Sequence, residues 1–592
     1  MKPTMQSNQA IAGEATHFVA PHPGSPEMPR WDVGELPAAP KFTARSWAML
    51  LGPGLVMGGA AIGGGEWLLG PIVTARYGGA LLWLATLSVL AQVVYNMEIS
   101  RYTIYTGEPI FVGKFRTLPG PRFWLFAYLA LDFGSVFPYL AANAATPLAA
   151  VILGRLPSAE GSFNLLGQSY TDLGLLQALR YVCFLLAIIP LVFGGKVYNS
   201  LKAVMTFKIV IVLGFLTFLA IFYSNAATWR EIGSGFFKFG TVPVQRGEDV
   251  NGNGRLDPGE DWDGDGRLDV LERPLDPPVD VNGDGRPDKF IDQDGDGIRD
   301  GDNTENIFMA LIRGQGMPAI DLSMIGFLAA MAAIAGSGGL TNTNISAYTR
   351  DQGWGMGRFV GAIPSVVGGR NLKLAHVGMV FEVTEEAVRR FRGWYRHVLR
   401  DQLVVWTPAC FLGLALPSML SIQFLRRGTE ASDWSAAAMT ADAVAGAGGP
   451  TWGPFFWFMT LFCGFLVLGP SAATTADGFL RRWVDVFWTA SLRLRKLDPH
   501  MIRYVYFAVL CGYTIFGMIA LSFAEPKKLI LWATTLYNYA LGFSCWHTLA
   551  INVLLLPREL RPGWFTRIAL VISGLFFTAL AVITTLRNLG LV

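Results

Sequence analysis

The chain has 592 residues, 52% of them hydrophobic and only 15% charged, with a mean hydropathy of +0.38 and a formal net charge of +3. Soluble domains carry about 25% charge, so a soluble globular protein is excluded and a polytopic membrane protein is implied. The five cysteines (Cys183, Cys410, Cys463, Cys511 and Cys545) lie in apolar segments with no paired spacing, which argues against a disulfide framework or a zinc site.

In chain order, residues 1–45 are rich in Pro, Ala and Gly and lack an apolar stretch of signal-peptide type. They read as a disordered cytoplasmic tail. A helix needs roughly 20 apolar residues to cross a bilayer. Eleven segments qualify as spans: about 48–70, 79–104, 122–153, 174–194, 201–223, 320–347, 402–422, 453–475, 504–523, 529–555 and 567–587. The expected organisation is therefore spans 1–5 in residues 46–224, an external segment over 225–319, and spans 6–11 in 320–592. The basic loops follow spans 2, 4, 6, 8 and 10, for example Lys114 and Arg116, then Arg389 to Arg400, then Arg493 to Arg503. The positive-inside rule then puts the N-terminus in the cytoplasm and Val592 outside. The expected location is the plasma membrane, as in a bacterial inner membrane. The basic loops suit anionic membrane lipid. They flank spans and carry no interleaved aromatic platform, so nucleic acid is not an expected partner.

Residues 249–302 do not belong to the bilayer. They hold 15 Asp, 2 Glu and 6 Lys or Arg, a net of −11, which leaves +14 on the remainder of the +3 chain. Asp249, Asn251, Asn253, Asp257 and Glu260 stand at positions 1, 3, 5, 9 and 12 of a calcium loop, with Gly254 at position 6 for the sharp turn. Asp261, Asp263, Asp265, Asp269 and Glu272 repeat the pattern. Two looser copies follow, Asp280, Asn282, Asp284 and Asp288, then Asp292, Asp294, Asp296 and Asp300. Alternate side-chain oxygens at this spacing wrap one Ca²⁺, and a distal carboxylate closes the shell. The last two copies lack that glutamate, having Ile291 and Asn303 in its place. Tandem spacing leaves no room for EF-hand helices, and the segment resembles the aspartate repeats of thrombospondin type 3. Structural Ca²⁺ is the expected cofactor.

Within span 1, "GGAAIGGGEWLLGP" puts Gly63, Gly64, Gly65 and then Glu66 in mid-bilayer. Span 6 repeats the feature, with Gly336, Ser337, Gly338 and Gly339 followed by Thr341, Asn342, Thr343 and Asn344. Backbone left open by a broken helix is tolerated in a membrane only where it lines a protein cavity. Transporters with inverted repeats place such breaks in corresponding spans of each half, around a site at mid-membrane. Breaks in spans 1 and 6 describe an all-α, LeuT-type 5+5 core with one extra helix and the small calcium-binding insert. Glu66 is the leading candidate, because an intramembrane carboxylate is costly. The alternative is a carboxylate that caps the half-helix after it. Asp132 is the second intramembrane acid.

"LGPGLVMGGAAIGGGEW", "ARYGGALLWLATLSVL", "LALDFGSVFPYLAANAATPL" and "GGKVYNSLKAVMTFKIVIVLGFL" resemble the NRAMP divalent-metal transporters over residues 46 to about 590, apart from the insert. The resemblance implies that fold and that activity, with symport as the expected mode. It implies an ion or proton path at Asp132, against which stands a plain pairing with a basic residue. The family's Asp-Pro-Gly-Asn reads Gly63, Gly64, Gly65 and Glu66 here, and its Met-Pro-His reads Gly336, Ser337 and Gly338. With thioether and imidazole gone, carboxylate and neutral oxygens favour hard ions such as Mg²⁺ or Mn²⁺. The expected substrate-binding set is Gly63, Gly65, Glu66, Ser337, Thr341, Asn342 and Asn344. No nucleophile–base pair or phosphate loop is present, so an enzyme is not expected. A LeuT-type carrier of a small organic solute is the alternative, and a membrane-anchored calcium sensor a third reading.

Overall fold

A computed structural model describes residues 18–41, 43, 52–63, 65–165, 167–193, 197–244, 304–314, 316–318, 320–363, 373–425, 436–523 and 526–591. The calcium repeats at 249–302 lie outside the described residues. Among the described residues, nine helical stretches are long and apolar enough to span a bilayer: Pro53–Leu81, Phe133–Leu153, Asp172–Val192, Val197–Phe222, Ile325–Asp351, Glu385–Phe424, Ala441–Ala490, Pro499–Phe523 and Trp564–Asn588. The multi-pass helical architecture is as expected, but the count by this measure is nine, where the sequence suggested eleven. The segments taken as spans 2 and 10 do form helices, Trp83–Thr106 and Pro526–Leu554. They are more polar because they face protein. Gln92, Asn96 and Glu98 on the first, and Asn538, Thr548 and Asn552 on the second, are buried. Asn552 donates to a carboxylate oxygen of Glu98 at 2.9 Å, joining the two helices.

Two of the spans are interrupted at their glycines. The first runs as helix over Pro53–Ala61, opens, and resumes through a π-helical turn at Gly65–Leu69 into helix Gly70–Tyr77. The other runs as helix over Ile325–Ile334, opens at Ala335 to Gly338, and continues through a 3₁₀ turn at Gly339–Thr343 into helix Asn344–Asp351. Gly336 has φ +99 and Gly339 φ +57, the left-handed region that glycine enters without a steric penalty. The breaks are therefore written locally in the sequence.

The tail departs from its expectation. Residues 18–41, assigned to a disordered tail, run as an ordered strap across the face that carries the loops after spans 2 and 6. Asp32–Val33 pairs in parallel with Met379–Val380. Met28, Trp31 and Leu36 are buried. Trp31 Nε1 donates to Glu108 at 3.0 Å, and Trp394 Nε1 donates to the Pro37 carbonyl at 2.7 Å. Burial alone would raise the Glu108 carboxyl, but Arg116 beside it holds it below its ordinary value. Three apolar anchors and a short strand are enough to order a segment whose composition alone argues for disorder.

The insert has a closed base. Thr241–Pro243 pairs antiparallel with Thr304–Asn306, Thr241 opposite Asn306, so the chain leaves and re-enters the fold at nearly one point.

Candidate functional site between the two helix breaks

The break in the first span leaves backbone amides and carbonyls without helical partners. Glu66, 1% exposed, answers this on both sides. Its Oε2 accepts the Gly63 N–H at 3.1 Å, and its Oε1 accepts the Gly336 N–H at 3.0 Å. One carboxylate thus ties the two broken helices together. Beside it is a cavity of about 40 Å³ lined by Ala60, Glu66, Tyr139, Leu140, Ile334, Gly336, Ser337, Gly338, Thr341, Ser471, Thr475 and Tyr537. The Ser337 hydroxyl, on the cavity wall and 6% exposed as a residue, has no hydrogen-bond partner among the described residues. A buried hydroxyl without a partner is uncommon in a folded interior and marks a place for a ligand or water.

The expected binding set divides. Glu66, Ser337 and Thr341 line the cavity. Gly63 acts at one remove, through its amide to Glu66. Gly65 opens the π-helical turn that carries Glu66. Asn342 and Asn344 are not in the cavity wall. Asn342 Nδ2 donates to Gln92 Oε1 at 2.9 Å, and Asn344 packs so tightly on Gly478 that a Cβ there would meet its Nδ2. Asp132 also lies apart, with Arg482 Nη2 at 2.8 Å from Oδ1, Trp483 Nε1 at 3.0 Å from Oδ2 and Ser135 Oγ at 2.7 Å from Oδ1. The geometry is the pairing with a basic residue weighed against the proton path. His547, the one histidine in the expected spans, bonds Thr117 and Tyr128.

Two residues were missed by the sequence reading. Gln92 holds the second break, with Nε2 donating to the Ala335 carbonyl at 2.8 Å and Oε1 accepting the Ser337 N–H at 3.1 Å. Lys208, completely buried in the helix Val197–Phe222, donates to the Gly59 carbonyl at 2.7 Å and to Ser471 Oγ at 2.6 Å. An ionisable residue inside a span is itself a signal, and Lys208 could have been found by it.

Among the described residues no three His, Cys, Asp or Glu side chains are grouped as for a tight metal site. What the cavity offers is one carboxylate with several hydroxyls. That set suits a hard cation held loosely enough to leave. The backbone here tolerates little change. A Cβ on Gly336 would sit 2.9 Å from the Trp406 ring, at a φ already unfavourable for other residues. We expect Gly336→Ala to cost about 1–3 kcal/mol, the usual range for enforced left-handed backbone, read as a lowered Tm of the purified protein.

No protein-family model matches the chain, and no curated protein sequence does. Solved structures do. The Eremococcus coleocola manganese transporter bound to an aromatic bis-isothiourea substituted compound matches at 12% identity, over 92% of this chain and 88% of that one, with a TM-score of 0.51. Two mutants of the same transporter match at 10% and 11% identity, each over 94% of this chain and 89% of that one, with TM-scores of 0.50 and 0.51. Likeness at so low an identity speaks to the fold: this chain has the fold of these transporters, the one its resemblance to the NRAMP proteins implied.

Proposed function

We propose that this protein is a secondary transporter of a hard divalent cation, Mg²⁺ or Mn²⁺, working by alternating access around its two helix breaks. The observation that carries the reading is the Glu66 carboxylate, bonded to an amide of each break and lying on the wall of a small oxygen-lined cavity. An ion entering that cavity would compete with both amides for the same oxygens. Binding would thereby loosen the tie between the two broken helices, which is the coupling that alternating access requires. The manganese transporters that share the fold support a divalent substrate. The cavity's size argues against an organic solute: about 40 Å³ holds a few water-sized bodies, whereas small-molecule pockets run to roughly 300–1,000 Å³.

The test is uptake into proteoliposomes containing the purified protein. Mn²⁺ and Mg²⁺ should enter and compete with each other. No uptake of either, with saturable uptake of an organic solute instead, overturns the reading.

For the insert we propose calcium binding with a local, stabilising role. The repeats have almost no apolar residues for a core, so metal binding would supply the folding energy. The paired strands at the base support a local role, because they fix the insert's ends whatever its interior does. Replacing residues 245–303 with a two-residue turn should leave Mn²⁺ uptake within about twofold. The full-length protein should gain Tm on addition of Ca²⁺ at about 10⁻⁴–10⁻³ M, the range of extracellular modules, and the shortened one should not. Loss of all activity in the shortened protein would favour the anchored calcium sensor.

A further inference from the structure

Lys208 stands at the centre of the helix Val197–Phe222, and its side chain is completely buried. The ammonium is bonded to neutral oxygens alone: the Gly59 carbonyl at 2.7 Å, the Val467 carbonyl at 3.1 Å and Ser471 Oγ at 2.6 Å. No carboxylate among the described residues bonds it, and Glu66 acts on it only through space. Buried charges are normally paired with an opposite charge, so this arrangement needs a reason.

The acceptors supply one. Helix Pro53–Ala61 ends just after Gly59, and the Gly63 N–H, which in a continuing helix would donate to the Gly59 carbonyl, turns to Glu66 instead. The break thus frees one carbonyl. A second carbonyl and a hydroxyl come from the helix Ala441–Ala490. Peptide carbonyls and a hydroxyl converging from two helices are the donors that replace the hydration shell of an alkali cation. Ser471 also lines the cavity beside Glu66, so the ammonium lies one hydroxyl away from the cavity.

We propose that Lys208 is a tethered monovalent cation. Its ammonium fills a three-oxygen site that clamps the broken first span to the helix Ala441–Ala490, and no mobile alkali ion is needed there. As a covalent group it bridges these helices without entering or leaving. A gradient of Na⁺ or K⁺ therefore does no work through this site, and removing the amine exposes a site for a small monovalent cation. The consequence for coupling rests on the transport reading; the cation site does not.

The test is the melting temperature of full-length Lys208→Ala in detergent, in sodium, potassium, ammonium or methylammonium chloride, against choline chloride at equal ionic strength. Wild type should melt alike in all five. Lys208→Ala should melt lower in choline and recover by at least about 3 °C in one or more of the small cations, as expected for a ligand that binds the folded state alone. An unchanged melting point across all five salts overturns the proposal. If Lys208→Ala folds only when purified in a small cation, the proposal stands. If it folds in none, Lys208→Met decides, since its stem fills the same space and leaves the three oxygens without a cation. A fall of at least tenfold in Mn²⁺ uptake supports the clamp, and uptake at the wild-type rate refutes it. The melting arm involves no divalent ion, so it can succeed while wild-type uptake fails, which would sink the transport reading alone.

Discussion

Glu66→Gln should lower Mn²⁺ uptake by at least about a hundredfold while the protein still folds. Glu66 makes two bonds that differ in their tolerance of the change. A carboxylate accepts at both oxygens, and both are used, by the amides of Gly63 and Gly336. Glutamine keeps one acceptor and turns an N–H₂ toward the other donor, so one of the two ties is lost. Leaving one buried N–H without an acceptor costs about 1–3 kcal/mol, a modest drop in stability. Removing the carboxylate, the one such group in the cavity wall among the described residues, has a larger effect on a divalent ion, which then meets only neutral oxygens. Breaking a buried charge pair costs about 3–5 kcal/mol, and each 1.4 kcal/mol is tenfold in affinity, so a loss of two to three orders of magnitude is the expected scale. Uptake and melting temperature measured on the same preparation separate the roles. Uptake near wild type in Glu66→Gln would leave Glu66 a cap for the helix ends and nothing more.

The other large effect lies at the Asp132–Arg482 pair. Both side chains are almost fully buried, and Arg482 binds both carboxylate oxygens. Its Nη1 also reaches the Leu340 carbonyl in the 3₁₀ turn of the second break, at 3.2 Å. Arg482→Met should therefore destabilise the protein by about 3–5 kcal/mol, by leaving Asp132 buried and unpaired. Adding Asp132→Asn should recover much of that loss, because a neutral pair carries no uncompensated charge. The double variant also decides between the two roles weighed for Asp132. A structural pair predicts that uptake returns together with stability. A proton path through Asp132 predicts that stability returns and uptake, measured with an inward pH gradient, does not.

What could be read in the sequence follows from where the cost of each feature falls. Glycine clusters in mid-span are locally expensive, so Gly63 to Gly65 and Gly336 to Gly339 announced the breaks, and Glu66 announced itself as a carboxylate where none is cheap. Lys208 carried the same signal and was passed over inside an otherwise apolar span. Gln92 carried a weaker one, since a neutral amide in a span costs less than a charge. Its role comes from the second break being folded against it. The Asn342–Asn344 ladder lies off the cavity wall for a geometrical reason. Successive side chains on a tight turn point to different sides, so Thr341 reaches the cavity while Asn342 turns to Gln92, and Asn344, where the 3₁₀ turn passes into the next helix, packs on Gly478. The strap at residues 18–41 was invisible because its order depends on partners more than 300 residues away, at Met379–Val380 and Trp394. The difference between eleven and nine spans has a similar origin, since the helices Trp83–Thr106 and Pro526–Leu554 bury polar side chains against protein.

The most direct measurement is anomalous diffraction at the manganese edge from crystals of this protein grown with Mn²⁺. One peak is expected inside the membrane-spanning region, between the two breaks. It should lie about 2.0–2.6 Å from a Glu66 oxygen, the span of hard-cation distances to oxygen, with the Ser337 hydroxyl turned toward it and at least one of the Gly63 and Gly336 amides released from Glu66. A peak at any other intramembrane position, or a Glu66 carboxylate still bonded to both amides with manganese bound, would contradict it.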